Sequence, residues 1–125
     1  MEFTNHKAIY LQIVDYICEK ALVNEWKAGE RIPSVRELGV TLEVNPNTAM
    51  RSYEYLESRK IIYNKRGIGY FLTEDTLAKI RVLQKELFMS ESLPTLFKNI
   101  YLLEISFDEL KKQYKEYCDI NYPNN

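Results

Sequence analysis

The 125-residue sequence contains one histidine and two cysteines, and this scarcity argues against several kinds of site. His6 stands alone near the N-terminus, so a metal site or a histidine-based catalytic triad would lack most of its groups. Cys18 and Cys118 are far apart and have no CxxC spacing, which argues against a zinc cluster or a disulfide framework. We therefore predict two plain, buried or half-buried thiols, no catalytic residue, no metal and no cofactor.

Long apolar runs are also lacking. No stretch approaches the roughly 18 apolar residues that a membrane span requires, and the first residues, MEFTNHK, lack the apolar core of a signal peptide. We expect a cytoplasmic protein without a membrane partner. A composition of 46% hydrophobic and 28% charged residues is that of an ordinary globular protein.

An excess of positive charge is missing as well, since the net charge is −1, but the charges are unevenly distributed. Between Arg31 and Leu72, seven basic residues face four acidic ones, which leaves an excess of three positive charges. From Thr73 onward, seven basic residues face nine acidic ones. A locally basic region of this kind is compatible with nucleic-acid binding despite the overall sum.

Three segments of the first half predict helices. Residues 8–24 place Ile9, Ile13 and Ile17 at helical spacing, with Gln12 on the opposite, polar face. The second helix would begin with an S-x-x-E capping box at Ser34 and end near Glu43.

The third helix would begin after Asn45, which can cap it, with Pro46 at its first position. Two short helices joined by a tight turn form a helix-turn-helix. The inward-facing stripe of the third helix is predicted to be Ala49, Ser52, Tyr53 and Leu56.

Residues 60–74 predict a β-hairpin. Apolar and aromatic runs flank a basic, glycine-containing tip at residues 64–69. A basic hairpin directly after a helix-turn-helix is the layout of a winged helix.

The exposed face of the third helix carries groups that can read bases. Asn47, Thr48 and Arg51 would lie near its N-terminus, where a recognition helix meets base edges in the major groove. The alternative is that Asn-Pro-Asn is only a helix-start signature, and that Arg51 pairs with Glu54 or Tyr55.

The last fifty residues return to a helical pattern. We predict a break at Pro94 with Ser92 as a cap, a second capping box from Ser106 to Glu109, and a frayed end at residues 119–125. The apolar content exceeds what one packed face needs, which favours pairing with a second copy over packing within a monomer. An effector pocket among the aromatic residues is a further reading, and any ligand is unknown. The predicted dimer interface comprises Leu83, Leu87, Phe88, Leu96, Phe97, Ile100 and Tyr101.

Three stretches carry a family resemblance: AIYLQI, AGERIPSVRELGVTLEVNPNTAMRSYEYLE and IYNKRGIGYFL. They closely resemble the DNA-binding domain of the GntR family of bacterial transcription regulators. The V-N-P-N-T form, followed by a short tail, resembles the YtrA-type subfamily. The resemblance implies a homodimeric repressor, often of neighbouring transporter genes.

The same resemblance implies that Arg36 contacts a base. Many relatives carry Arg or Lys where this chain has Pro46 and Met50, so Arg51 must supply more of the contact. We expect Ser34 to act first as a helix cap and also to offer a phosphate contact. The full set of predicted DNA-binding residues is Ser34, Arg36, Asn45, Pro46, Asn47, Thr48, Met50, Arg51, Lys65, Arg66 and Gly67.

We thus predict a mainly α fold with a small hairpin, in which residues 1–72 form a winged helix-turn-helix and residues 73–125 a helical dimerisation tail. The predicted function is a sequence-specific regulator, a repressor that binds a palindromic operator in double-stranded DNA as a homodimer. The alternative is a winged-helix adaptor that binds proteins and not DNA. The operator and the regulated genes do not follow from the sequence.

Overall fold

The computed structural model describes residues 1–124. Its elements, in chain order, are α1 (Ile9–Leu22), α2 (Val35–Leu42), α3 (Pro46–Ser58), β1 (Ile62–Lys65), β2 (Gly69–Leu72), α4 (Thr76–Leu87), a π-helical turn (Phe88–Ser92), α5 (Leu93–Leu102) and α6 (Phe107–Asn121). The mainly helical winged-helix fold is confirmed. Within residues 1–124, no helix combines the length and the apolar character needed to cross a membrane.

The chain forms two compact units, of which the first comprises residues 1–84 and the second begins at Lys85. The first unit contains α1 to β2 and most of α4, and the second contains the π-helical turn, α5 and α6. We predicted that the boundary between the DNA-binding domain and the dimerisation tail lies closer to the N-terminus, after Leu72. The assignment of these two roles stays a prediction.

The core of the first unit is built from the apolar stripes of α1 and α3. Ile13 and Ile17 of α1 are buried, as are Ala49, Tyr53 and Leu56 of α3. The predicted inward stripe of α3 is confirmed, including the small polar Ser52, whose hydroxyl donates to the Tyr10 carbonyl of α1 at 2.8 Å.

Gln12 is buried, and the prediction that it lies on the polar face of α1 was wrong. Its amide Nε2 donates to the carbonyls of Thr4 and Lys7, at 3.0 and 2.7 Å, while its Oε1 accepts from the Thr4 N–H. Because every polar atom of the amide has a partner, burial costs little. The side chain thereby fastens residues 4–7 onto α1.

The turn between α2 and α3 is a Schellman motif. Glu43 adopts the left-handed conformation at φ 56°, and the Val44 N–H bonds back to the Gly39 carbonyl at 2.9 Å. A Cβ at position 39 would lie 3.3 Å from the Val44 carbonyl oxygen, so glycine lets the turn close tightly over α2. The tight turn between α2 and α3 sets the direction in which α3 begins.

The wing is a two-stranded antiparallel hairpin in which Ile62 pairs with Leu72 and Lys65 pairs with Gly69. A turn closed by the Ile68 N–H and the Lys65 carbonyl forms its end, with Gly67 at φ 78°. The tip is therefore residues 66–68, shorter than the predicted 64–69, because Asn64 and Lys65 continue the ladder.

In the second unit the chain does not break at Pro94. The π-helical turn leads directly into α5, and the Leu93 N–H bonds to the Phe88 carbonyl. Ser92 is helical and makes no side-chain cap, so the predicted break and cap were wrong. Proline is tolerated here because it lies in the first turn of α5, where an N–H is not needed within the helix.

The start of α6 confirms only part of its predicted capping box. The Ser106 hydroxyl accepts from the Glu109 N–H at 3.1 Å, whereas the Glu109 carboxylate accepts from the Gln113 amide. The predicted fraying from residue 119 was too early, because α6 extends to Asn121. Asn125 lies outside the described residues.

Candidate nucleic-acid interface

The first turn of α2 presents Arg36 to solvent. Ser34 caps the helix: its hydroxyl accepts from the Glu37 N–H at 3.0 Å, and its own N–H donates to the Glu37 carboxylate at 3.1 Å. The hydrogen bond that the Ser34 N–H donates to the carboxylate is the main cause that holds the pKa of Glu37 below its usual range. The cap is confirmed, and Arg36 has no ion-pair partner among residues 1–124.

The start of α3 combines a cap with exposed polar groups. The Asn45 side-chain oxygen accepts from the Asn47 N–H at 2.8 Å, which leaves the Asn45 amide nitrogen as its outward group. Pro46 begins the helix, as predicted. Asn45, Pro46 and Asn47 are exposed, and Thr48 is half-buried.

One turn further along α3, Met50 and Arg51 are exposed. The Arg51 guanidinium stacks on the ring of Tyr10 from α1, with Cζ 3.8 Å from the ring centroid. Within residues 1–124, Arg51 pairs with neither Glu54 nor Tyr55, so the pairing expected in the alternative interpretation is not observed.

The wing carries the remaining predicted contacts. Arg66 and Gly67 are exposed at its tip, and Arg66 has no ion-pair partner in residues 1–124. Lys65 lies one residue earlier, at the end of β1, with its ammonium 4.6 Å from the centroid of the Phe71 ring. The Lys65 charge thus sits over the strand pair and not on the tip.

Tyr53 of α3 joins the parts that carry these groups. Its hydroxyl donates to the Pro33 carbonyl, just before α2, at 2.6 Å. Its ring packs edge-on against Tyr70 of β2, with centroids 4.9 Å apart. Burial raises the pKa of Tyr53, which keeps the hydroxyl protonated as a donor. One buried side chain therefore connects α3 with the start of α2 and with the wing.

Two residues of this surface were missed by the sequence reasoning. Tyr10 supports Arg51, and Arg31 packs across Gly69, where a Cβ would lie 2.8 Å from its Nε. Arg31 also forms an isolated antiparallel β-bridge with Phe71, and the Ile32 N–H donates to the Tyr70 carbonyl at 2.9 Å. The segment before α2 is thus hydrogen-bonded to β2 without forming a strand of its own, and such isolated contacts leave no pattern in the sequence.

The two cysteines lie in different surroundings. Cys18 is buried in α1, and burial, helped by the nearby Asp15 charge, raises the pKa of its thiol to about 12. Cys118 of α6 is half-buried. The prediction of plain buried or half-buried thiols is confirmed. In the described part of the chain, no group of three or more His, Cys, Asp or Glu residues is arranged to hold a metal ion.

Comparison with known proteins agrees with this geometry. The family model described as "Bacterial regulatory proteins, gntR family" matches residues 9–72, from α1 to the end of the wing. The chain belongs to the GntR family. It is accordingly a DNA-binding transcription regulator of the helix-turn-helix type, as predicted.

Relatives extend the similarity beyond the winged helix. The uncharacterized regulator YhcF of Bacillus subtilis is 33% identical over 94% of this GntR chain and 96% of its own length. The repressor YtrA of the same organism is 33% identical, over 86% of this chain and 82% of YtrA. The predicted resemblance to the YtrA-type subfamily is thus confirmed.

A solved structure from Bacteroides thetaiotaomicron, assigned to the GntR family of transcriptional regulators, is also similar over both units. It is 47% identical, covers 90% of this chain and 97% of its own, and has a TM-score of 0.78.

Proposed function

We propose that this GntR-family regulator is a repressor that reads a palindromic operator as a homodimer. The observation that carries the proposal is the exposed N-terminal face of α3, where Asn47 and Arg51 present amide and guanidinium groups to solvent. Repression is supported by the similarity to a relative named as a transcriptional repressor. This role needs no catalytic residue and no cofactor, and it places the chain in the cytoplasm.

In this proposal Arg51 and Asn47 contact base edges. An arginine fork matches the two acceptors of guanine, and an asparagine amide matches adenine. Thr48 and Met50 would contact thymine methyl groups or the adjacent backbone.

The other predicted residues would position the helix on the phosphates, and Arg36 would also contact a base, as the family resemblance implies. Arg36 and Arg66 carry charges without ion-pair partners among residues 1–124, and Lys65 adds a third cation. The N-termini of α2 and α3, with Ser34, Asn45 and Pro46, would face phosphate oxygens, which helix N-termini favour. Gly67 would let the wing backbone approach the duplex. Binding should therefore weaken steeply as salt concentration rises.

The dimer would form through the second unit. Phe88, Leu96, Phe97 and Tyr101 are exposed there, and Tyr101 is 82% exposed. An open groove of about 820 Å³ is lined by α5 and the start of α6. Leu83 and Ile100, which we also predicted at the interface, are buried within the single chain, and Leu87 is half-buried. The proposed interface therefore rests on the exposed residues, joined by Leu102, Phe107 and Tyr114.

The experiment that tests the function is selection of bound fragments from a random pool of duplexes. We expect a consensus of two inverted half-sites, since a two-fold-symmetric dimer reads each half with one copy. Enrichment of no sequence would contradict base reading, and a single, non-repeated half-site would contradict the dimer.

The dimer has its own matched test in α5. Tyr101→Glu places a charge on the proposed interface, whereas Asn99→Glu adds the same charge at an exposed polar position of the same helix. Sedimentation should show wild type and Asn99→Glu at twice the 14.9 kDa chain mass, and Tyr101→Glu at the chain mass. A wild-type protein that sediments only as a single chain would refute the homodimer.

A further inference from the structure

Tyr10, in the first turn of α1, is contacted by three residues of α3. Its ring lies under the Arg51 guanidinium, 3.8 Å from Cζ to the ring centroid. Its backbone carbonyl accepts from the Ser52 hydroxyl at 2.8 Å. Its ring also meets the ring of Tyr55 at 65°, with centroids 6.3 Å apart. Tyr10 is therefore held against α3 at Arg51 and at two residues that follow it, through both its ring and its backbone carbonyl.

The geometry of the stack leaves Arg51 able to bind. A guanidinium over an aromatic ring uses its flat face, whereas all five of its N–H donors lie in the plane and point outward from its edge. Bidentate recognition of guanine uses that edge. Arg51 is exposed, so the stacking does not bury the donors.

The stack also removes freedom that Arg51 would otherwise lose on binding. A free arginine side chain samples many rotamers, and ordering it at an interface weakens binding. With the ring in place, part of this ordering occurs when the protein folds and not when DNA arrives.

We propose that Tyr10 is a positioning residue that sets sequence specificity by holding the Arg51 guanidinium toward the duplex. The inference rests on the proposed base-reading role of Arg51. It assigns a part of DNA recognition to α1, a helix that otherwise supplies core packing.

The chain offers a close control on the same helix. Tyr16 of α1 is also half-buried, packs edge-on against Trp26, and lies under a cation, with Lys20 Nζ 5.3 Å from its ring centroid. Loss of either tyrosine removes an aromatic contact of α1, but only loss of Tyr10 would affect Arg51.

The test measures a specificity ratio: the affinity for the tightest duplex selected by wild type, divided by that for a scrambled duplex of equal length and composition. A partly unfolded variant loses both affinities by the same factor, so the ratio is insensitive to stability. The variants are Tyr10→Leu, Tyr10→Met, Tyr10→Phe and Tyr16→Leu. Tyr10→Leu is also combined with Arg51→Ala. Tyr10→Met keeps a large apolar side chain without the ring, should Tyr10→Leu fail to fold.

We expect Tyr10→Leu and Tyr10→Met to lower the ratio about threefold to tenfold, the range given by ordering one flexible side chain. Tyr10→Phe, which keeps the ring, and Tyr16→Leu should match wild type. In the Arg51→Ala background, Tyr10→Leu should have no further effect, since the two residues act as one unit.

Two results would overturn the role of Tyr10. One is an unchanged ratio in Tyr10→Leu and Tyr10→Met while Arg51→Ala lowers it. The other is an equal loss with and without Arg51. If wild type selects no duplex, or if Arg51→Ala leaves the ratio intact, the proposed function itself fails, and that outcome is distinct from both.

Discussion

The two units of the chain bury their apolar residues very differently. In residues 1–84, α1, α2, α3 and the wing enclose a core that includes Ile17, Tyr53 and Leu56. In described residues 85–124, Ile100 is the one hydrophobic residue classed as buried, while Tyr101, Leu103 and Ile120 are mostly exposed. The first unit has an apolar core, whereas the second leaves most of its large apolar side chains exposed.

This difference favours separate roles for the two units, DNA recognition for the first and assembly for the second. The first unit ties α3, which carries the proposed recognition surface, to its neighbours through Ser52 and Tyr53. Large exposed apolar patches mark sites of association. The exposed patch of the second unit therefore favours assembly as its role.

The largest expected difference between the units is in the cost of truncating a leucine. Leu56 is fully buried, so Leu56→Ala should lower the free energy of unfolding by about 2–5 kcal/mol. Leu102 is 62% exposed, and Leu102→Ala in the monomer should change it by less than about 0.5 kcal/mol. Urea unfolding at concentrations where the protein is monomeric measures both. Equal costs would show that the second unit has a core of its own.

A smaller effect is expected from removing one hydroxyl. Tyr53→Phe loses the 2.6 Å bond to the Pro33 carbonyl and should destabilise the fold by about 1–2 kcal/mol. Tyr101→Phe removes a hydroxyl from a residue that is mostly exposed and should be near neutral. Thermal unfolding of the pair checks this. A neutral Tyr53→Phe would mean that the bond does not stabilise α3 against the start of α2.

The smallest effect concerns pH and the Ser34 cap of α2. The pKa of Glu37 is lowered by its bonds with Ser34, so its stabilising effect is complete above its ordinary pKa of 4.5. That contribution is lost as the pH falls through the lower value of the folded protein. Wild type should therefore exceed Glu37→Gln in melting temperature at neutral pH, and the gap should close in acid. A gap that is constant with pH would rule out this linkage.

Features set by neighbours in the sequence were the ones that sequence reasoning could predict. The cap at Ser34, the proline start of α3 and the stripe of Ala49 and Tyr53 depend on spacings of four residues or fewer, and the structure has them all. The basic tip of the wing was found but drawn too long, because the end of a strand depends on pairing with a partner strand.

Features that depend on contacts beyond the spacing of a helical turn could not be predicted. Gln12 looks exposed by periodicity, and its burial follows from carbonyls at Thr4 and Lys7 that only the folded N-terminus supplies. The stack of Tyr10 on Arg51 joins two helices that are separated by α2. The prediction at Pro94 was wrong for the opposite reason. Proline is a strong local signal for a helix break, but here a π-helical turn leads directly into α5.

The most direct test of the account is the comparison of Arg51→Ala with Lys65→Ala on a selected duplex and on a scrambled one. Arg51→Ala should cost about 1–3 kcal/mol on the selected duplex and much less on the scrambled one. Lys65→Ala should weaken both alike and reduce the salt dependence. Equal losses on both duplexes for Arg51→Ala would contradict the claim that the exposed face of α3 reads the base sequence.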